Sequence, residues 1–276
     1  MIFQIHSNSL KVTVELDGDH YGEEYWQKIA ERKYEPDTVG FIEDRCNPNV
    51  DFMDIGAANG AMTLIAASNG ARVSAYEPDA RVHSVLARNI ELNPILKHLV
   101  TLHKKAISAE SGSIKFQRDE DSSVLSSIVF TGHDVSTEIE IQKTSLKEEI
   151  EILHQDISRR LILKMDIEGA EWRILRSVEI LKCLSIHKAT LLLAVHPGFY
   201  RPFVAKMRGL DKIRRVIWHL LNVSESLTVF TLLNKFGIIR RTNLDRVRNK
   251  KQFAALILGG CYEFIIEFDN NRNWST

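Results

Sequence analysis

The residues from Asp54 to Gly60 place an acid and two glycines where an apolar run ends. The run 50–53 predicts a strand, Gly56 and Gly60 a tight turn, and residues 61–68 a helix. Gly56 lets the backbone approach a ligand closely, and the free N–H groups of the first helical turn face that ligand. The junction therefore predicts a small-molecule binding site, although an Asp-x-Gly run is also common in ordinary β-turns.

The acids beside this turn discriminate between two cofactors. Glu77 ends the next apolar run, 72–76, and is placed to accept hydrogen bonds from a ribose diol. A dinucleotide calls for G-x-G-x-x-G, which the run 56–60 lacks, and Asp54 would repel a pyrophosphate. S-adenosyl-L-methionine has no phosphate but carries an ammonium, a sulfonium and a ribose. The acids therefore favour S-adenosyl-L-methionine as the cofactor.

Strands and helices alternate on both sides of the turn. Apolar runs at 50–54, 72–76 and 99–103 flank helical patterns, which is typical of a parallel sheet with right-handed crossovers. A ligand of such a sheet binds at the carboxyl ends of the strands. We expect the cofactor to be bound by residues at those ends, namely Asp54, Gly56, Ala57, Asn59, Gly60, Glu77, Pro78 and Ala106.

A second acidic group follows a later strand. The apolar run 161–165 ends in Asp166, Glu168 and Glu171, and the run 191–195 delivers His196 to the same predicted sheet edge. Acids in a solvated loop, and a structural histidine, are the ordinary alternatives. A histidine at a strand end opposite carboxylates is also a candidate general base or substrate ligand.

Composition sets limits on the class of protein. The chain has 276 residues, of which 44% are hydrophobic and 26% charged, as in ordinary globular proteins. No apolar run reaches the length of a bilayer-spanning helix and the first residues lack a signal-peptide pattern, so we expect a cytoplasmic protein. Cys46, Cys183 and Cys261 have neither disulfide nor metal-ligand spacing and are predicted to be buried thiols.

Charge is unevenly distributed along the chain. Residues 201–251 contain thirteen Lys or Arg residues and three acids, a net charge of +10. The helical patterns at 204–221 and 227–233 predict two amphipathic helices with basic outer faces. Such a segment suits a nucleotide- or lipid-linked anionic substrate, or peripheral contact with an anionic membrane. A solvated helix face is the simpler alternative.

Residues 1–48 precede the first sheet strand. Alternation up to residue 16 predicts one or two strands, and residues 21–32 a helix that caps the cofactor cleft. Tyr34 lies just before a short helix, for which Asp37 is a candidate N-cap, and is predicted to bind substrate. We expect an N-terminal part of strands and cap helices, 1–48, and a main domain, 49–276, with a basic helical insertion at about 200–250.

Four motifs together resemble one family. They are Asp54-Ile55-Gly56-Ala57-Ala58-Asn59-Gly60, Tyr76-Glu77-Pro78-Asp79, Asn89-Ile90-Glu91-Leu92-Asn93 and the run from Leu163 to Glu171 with its Lys-x-Asp-x-Glu-Gly-Ala-Glu pattern. In order and spacing, over roughly residues 34–200, the chain resembles the FkbM family of S-adenosylmethionine-dependent methyltransferases. That resemblance implies an α/β, Rossmann-like class I methyltransferase fold, a seven-stranded, mostly parallel sheet with helices on both faces.

The resemblance also implies O-methylation of a hydroxyl on a sugar, glycan precursor or secondary metabolite. The sulfonium is already an activated methyl donor, so the protein mainly aligns the hydroxyl and removes its proton. Asp166 and His196 are the candidate proton acceptors. Glu168 and Glu171 are expected to orient the substrate, and Glu168 is also placed among the catalytic residues. The alternative role for these two acids is to hold a metal ion.

Two rival functions stay open. A nucleic-acid methyltransferase would share the cofactor loop, but no Asn-Pro-Pro-Tyr-like stretch is present to hold a flipped base, so no nucleic-acid partner is expected. A catalytically silent module that binds only the cofactor or a partner is permitted by Lys147 and Ala194, where the family commonly shows acids.

Overall fold

The fold is known from a computed structural model. It describes residues 2–7, 10–16, 22–118, 137–167, 169–196, 211–243, 245–258 and 263–269. Outside the described residues lie Glu168, Cys261 and residues 204–210, the start of the first predicted basic helix. None of the described helices combines the length and apolar character needed to cross a bilayer.

The described residues form strands and helices in alternation. The strands are β1 (Ile2–Ser7), β2 (Leu10–Glu15), β3 (Val50–Ile55), β4 (Arg72–Tyr76), β5 (Val100–His103), β6 (Ala106–Ser108), β7 (Gly112–Arg118), β8 (Thr137–Ser145), β9 (Arg160–Met165), β10 (Thr190–Ala194), β11 (Gly237–Arg241) and β12 (Glu263–Phe268). The helices are α1 (Gly22–Ala30), α2 (Pro36–Arg45), α3 (Ala61–Ser68), α4 (Ala80–Glu91), α5 (Pro94–Lys97), α6 (Leu146–Leu153), α7 (Glu171–Leu175), α8 (Val178–Ile186), α9 (Asp211–Phe236) and α10 (Lys250–Leu258).

A seven-stranded sheet has the order β11-β12-β10-β9-β3-β4-β5. Strand β4 is parallel to both β3 and β5, whereas β12 is antiparallel to both β10 and β11. Every residue of β3 is buried, and apart from Asp51 and Asp54 every one is apolar. The predicted α/β class I methyltransferase fold with a mostly parallel seven-stranded sheet is confirmed.

One compact unit comprises residues 1–107 and 154–164. Within it, Asp54 of β3 is level with Ala75 of β4, and all eight residues of α3 are buried. Asp79 caps helix α4, because its side chain accepts a hydrogen bond from the Arg81 N–H at the start of that helix. The predicted boundary at 48/49 lies inside this unit, and the division of the main domain from an N-terminal part stays a prediction.

An ion network stabilises the beginning of β3. Asp51, which is buried, contacts Arg72 Nη2 at 2.7 Å, Arg159 Nε at 2.6 Å and His154 Nδ1 at 2.9 Å. Burial alone would raise the pKa of Asp51, but these hydrogen bonds outweigh it and lower the pKa to about 2. Arg159 also donates to the Pro48 and Val50 carbonyl oxygens, so this network organises the strand entrance.

The other compact unit comprises residues 108–153 and 165–276. Strands β7 and β8 pair antiparallel, as do β10, β12 and β11 in turn. Phe253 of α10 packs between Phe230 of α9 and Phe264 of β12, with ring centroids 5.5 and 4.7 Å away. These ring contacts anchor helix α10, whose residues Phe253, Ala254 and Ile257 are buried.

Three local predictions need correction. The two helices predicted at 204–221 and 227–233 form, over the described residues 211–236, one continuous helix, α9, because no glycine or proline interrupts it. Asp37 is not an N-cap: α2 begins at Pro36, and Asp37 lies within its first turn. The helix predicted after Glu171 is divided into α7 and α8, since the Ser177 side chain caps a new helix.

Candidate functional site

Two glycines set the backbone conformation of the turn after β3. Gly56 has φ of 83° and Gly60 has φ of 93°, both in the left-handed region that favours glycine. The N–H groups of Gly56 and Ala57 both donate to the Tyr76 carbonyl oxygen, at 3.1 and 3.0 Å. A Cβ on Gly60 would lie 2.3 Å from Leu86 Cδ1, so helix α4 packs closely against the turn.

Glu77 is fixed by two backbone donors. The Ala58 N–H donates to Glu77 Oε2 at 3.1 Å and the Asp79 N–H donates to Glu77 Oε1 at 2.8 Å. Ala58 has φ of 50°, an unfavourable value for a residue with a Cβ, which its neighbours must maintain. The carboxylate is therefore oriented before any ligand arrives.

Three buried carboxyl groups lie around the turn. Asp54, Glu77 and Asp79 are 1%, 8% and 0% exposed, and Thr63 Oγ1 donates to Asp54 Oδ2 at 2.6 Å. Burial raises the pKa of Glu77 to about 8; the charges of Asp79 and Asp54 add to the rise, and its two backbone hydrogen bonds oppose it. This concentration of buried negative charge suits a positively charged ligand.

All of the predicted cofactor residues except Ala106 lie at the end of β3, in the turn after it, or at Glu77 and Pro78. Ala57 and Asn59 are buried in the turn, and Pro78 lies between Glu77 and the Asp79 cap. Ala106 is buried at the first residue of β6, three positions after β5 ends. Thr63 was missed as a member of the site. It is the polar residue in the otherwise apolar start of α3, which is a signal that sequence inspection could have used.

A second cluster lies in the other unit. His196 Nδ1 is 3.0 Å from Glu171 Oε1, and His196 Nε2 is 3.7 Å from Asp166 Oδ1. Glu171 Oε1 also accepts the Ile167 N–H at 3.1 Å, and Trp172 Nε1 donates to the His196 carbonyl oxygen at 3.0 Å. Side chain and backbone contacts thus fix the position of the histidine.

Exposure divides the members of this cluster. The Asp166 and His196 side chains are 25% and 30% exposed, whereas Glu171 is 0% exposed. Burial raises the pKa of Glu171, and the hydrogen bond with His196 opposes that rise. A carboxylate on Nδ1 leaves Nε2 as the nitrogen open to proton transfer.

The same three side chains could hold a cation. One ligand atom from each of Asp166, Glu171 and His196 lies within 4.8 Å of the others. Two carboxylates and one imidazole form a donor set that suits several divalent metals. Glu168, the fourth predicted member, lies outside the described residues.

Tyr34 contacts residues of helix α1. Its ring packs edge-on against Tyr25 of α1 with centroids 4.8 Å apart, and its N–H donates to the Lys28 carbonyl oxygen. The predicted role of Tyr34 in binding substrate stays a prediction.

Comparison with known proteins identifies the family. Residues 54–216, more than half of the chain, match the family model described as the methyltransferase FkbM domain. The chain belongs to the FkbM methyltransferase family. S-adenosylmethionine is the cofactor of this family, so the cofactor predicted from the acids agrees with the family assignment. A search of curated proteins found no match.

Several solved methyltransferases are similar to this chain at low identity and low TM-score. The methyltransferase FkbM from Methylobacillus flagellatus KT is 16% identical with a TM-score of 0.41; the match covers 80% of this chain but only 44% of that one. The SAM-dependent O-methyltransferase from Thermotoga maritima is 12% identical with a TM-score of 0.41, over 99% and 94% of the two chains. Geranyl diphosphate C-methyltransferase from Streptomyces coelicolor A3(2) is 12% identical with a TM-score of 0.37, over 93% and 88%.

Proposed function

We propose that this FkbM methyltransferase transfers the methyl group of S-adenosylmethionine to a hydroxyl of a sugar, glycan precursor or secondary metabolite. The observation that carries this proposal is the hydrogen-bonded pair of Glu171 and His196, in which the His196 side chain is partly exposed. A hydroxyl acceptor needs a proton acceptor when it attacks, and this pair is built to supply one.

In the proposed reaction the buried acids bind the cofactor. The negative charge of Asp54 complements the ammonium and sulfonium groups, and Glu77 accepts hydrogen bonds from the ribose diol. Thr63 and the two backbone donors to Glu77 keep both carboxylates oriented. Little reorganisation is then needed on binding, which favours affinity.

The proton step follows from the second cluster. As the acceptor oxygen forms a bond to the methyl carbon, the carbon–sulfur bond breaks and its electron pair remains on sulfur. The hydroxyl proton passes to His196 Nε2, and the buried Glu171 carboxylate stabilises the resulting imidazolium through Nδ1. Glu171 is thus proposed to orient His196, in place of the direct substrate contact predicted from sequence, because its side chain is fully buried. Asp166 is the second candidate acceptor, and Glu168 and Tyr34 keep their proposed catalytic and substrate-binding roles.

A divalent cation is the alternative occupant of the Asp166, Glu171 and His196 cluster. The two roles exclude each other, since a metal on Nε2 would occupy the lone pair that a base requires. Glu171 already accepts two hydrogen bonds through Oε1, which favours the base. Loss of methyl transfer on treatment with a chelator, with recovery on adding Mg²⁺ or Mn²⁺, would favour the metal instead.

The acceptor is proposed to be nucleotide- or lipid-linked. Arg246, Arg248, Lys250 and Lys251 are exposed, and they provide positive charge for such an anionic group or for peripheral contact with a membrane. Cytoplasmic location is proposed as well, because Cys46 and Cys183 are buried free thiols, as is usual in a reducing compartment.

The test begins by finding an acceptor. Cell extracts fractionated by size and charge are incubated with the protein and methyl-tritiated S-adenosylmethionine, and the labelled product is isolated. Label confined to nucleic acid, with a salt-dependent RNA gel shift, would favour the nucleic-acid alternative. Absence of any product, with retained cofactor binding, would favour the silent module.

With an acceptor in hand, the pair is tested by substitution. We expect His196→Gln to lower kcat by about 10²–10⁴-fold and to leave the Kd of S-adenosylhomocysteine within about threefold of wild type. Glu171→Gln should lower kcat less, since the imidazole remains. His98→Gln, at an exposed histidine, is the matched control. Turnover by His196→Gln at the wild-type rate would refute the base.

A further inference from the structure

Asn89 of α4 connects two separate parts of the first unit. Its Oδ1 accepts the Glu15 N–H of β2 at 2.8 Å, and its Nδ2 donates to the Asn59 carbonyl oxygen of the glycine turn at 2.9 Å. The side chain is fully buried. One amide therefore touches the N-terminal hairpin on one side and the cofactor turn on the other.

Asn93, one helical turn later, repeats half of this arrangement. Its Oδ1 accepts the Thr13 N–H at 2.9 Å, and its Nδ2 donates to the Thr13 and Asn89 carbonyl oxygens at 2.6 and 2.7 Å. Residues four apart on a helix and two apart on a strand are both about 6–7 Å apart, so the two amides match alternate residues of β2. Asn93 thus binds the same strand as Asn89, but its hydrogen bonds do not extend to the turn.

The hydrogen bond from Asn89 to Asn59 reaches the part of the turn whose backbone is most constrained. Asn59 follows Ala58, which is held at φ of 50° and donates its N–H to Glu77. The Gly60 N–H closes the turn on the Ala57 carbonyl oxygen at 2.9 Å. The Asn59 carbonyl lies in the same peptide plane as the Gly60 N–H, so the hydrogen bond from Asn89 holds the plane that closes the turn. Without the Asn89 amide, the turn would therefore be held less tightly.

We propose that Asn89 is a positioning residue for the cofactor, which holds the Ala58–Asn59 turn so that the Ala58 N–H orients the Glu77 carboxylate, and which couples this turn to strand β2. The inference rests on the proposed binding of the cofactor by this turn. It adds a role for the N-terminal hairpin, which contributes to cofactor affinity through a single shared amide.

The experiment compares two asparagines that bind the same strand. The Kd of S-adenosylhomocysteine is measured by titration calorimetry for wild type, Asn89→Asp, Asn89→Ser and Asn93→Asp, together with the Tm of each. Asn89→Asp keeps an acceptor for the Glu15 N–H but loses the donor to Asn59. We expect its Kd to rise about tenfold or more, and that of Asn93→Asp to stay within about threefold, although both lower Tm.

A pH profile distinguishes positioning from general destabilisation. Since the Ala58 N–H opposes the rise in the pKa of Glu77, loosening that bond should move the pH at which affinity levels off upward from about 8. Asn93→Asp should leave that pH unchanged. Equal losses of affinity in Asn89 and Asn93 variants, or an unchanged Kd in both Asn89 variants, would overturn the inference.

Failure of the inference can be told apart from failure of the cofactor site itself. Glu77→Gln is measured in the same series. If wild type binds and Glu77→Gln binds equally well, the turn is not the cofactor site. If Glu77→Gln binds more weakly and the Asn89 variants do not, only the role of Asn89 is wrong.

Discussion

The two acidic clusters of this FkbM methyltransferase differ in burial. Asp54, Glu77 and Asp79 are all at least nine-tenths buried and accept hydrogen bonds from donors 2 to 19 residues away in the chain. In the other cluster only Glu171 is buried, while Asp166 and His196 remain partly exposed. The first arrangement suits recognition of fixed positive charge, and the second suits transfer of a proton to and from solvent.

The difference follows from the cost of burying charge. A buried carboxylate without a counter-charge is unfavourable, so burial in the first cluster raises the pKa of Glu77 to about 8. A partly exposed imidazole can change its charge at little cost, with a single buried carboxylate to orient it. The following four predictions break or sharpen this contrast.

The largest expected effect is at Asp54. Asp54→Ala should weaken binding of S-adenosylmethionine beyond detection by calorimetry, and Asp54→Asn, which keeps an acceptor for Thr63, should weaken it about a hundredfold, roughly 2.7 kcal/mol. The reason is loss of the buried negative charge that faces the cation. Circular dichroism checks that both variants remain folded. Binding by Asp54→Asn within threefold of wild type would remove the charge argument.

An intermediate effect is expected from pH. Below about 8 the free protein holds a proton on Glu77, and a ligand that prefers the carboxylate must displace it. Affinity for S-adenosylhomocysteine should therefore rise by up to about tenfold per pH unit between pH 6 and 8 and level off above. In the Glu77→Gln variant the ligand still titrates, but the rise in affinity that is due to Glu77 should be absent. Parallel profiles for the two proteins would contradict the assignment.

The same proton affects the stability of the free protein. Between the ordinary pKa of 4.5 and about 8, the unfolded chain has released the proton that folded Glu77 retains. The free energy of unfolding should thus fall as pH rises through this window, by at most about 1.4 kcal/mol per unit from this residue. Urea denaturation of wild type and Glu77→Gln at pH 5 and 7.5 measures the difference.

The smallest expected effect is at Thr63. Thr63→Val removes the 2.6 Å hydrogen bond to Asp54 without changing the shape of the side chain. We expect cofactor affinity to fall about fivefold, near 1 kcal/mol, because Asp54 keeps its charge but loses an orienting donor. Thr38→Val, at a buried threonine of α2, is the control. No change at Thr63 would mean that burial alone orients Asp54.

Several elements were predictable because local signals agree. The helix 61–68 and the strand 72–76 were predicted with their observed bounds, since turn glycines and apolar runs delimit them. The length of helix α9 was not predictable in this way. The mostly polar stretch 222–226 suggests a break, but a long helix accommodates it. Glu225 in that stretch is buried and pairs with Arg176 at 3.3 Å, a contact that no local pattern reveals.

By itself, the sequence determined the class of fold and the cofactor, and it predicted the acids that we propose bind this cofactor. Those depend on apolar periodicity and on short-range spacing, which act over a few residues. Only the tertiary structure decided that Asn89 reaches Asn59 and Glu15, thirty and seventy-four residues away, and that Glu171 lies buried against His196. Side-chain hydrogen bonds of this kind depend on how distant elements pack, and packing brings together residues whose separation along the chain carries no periodic signal.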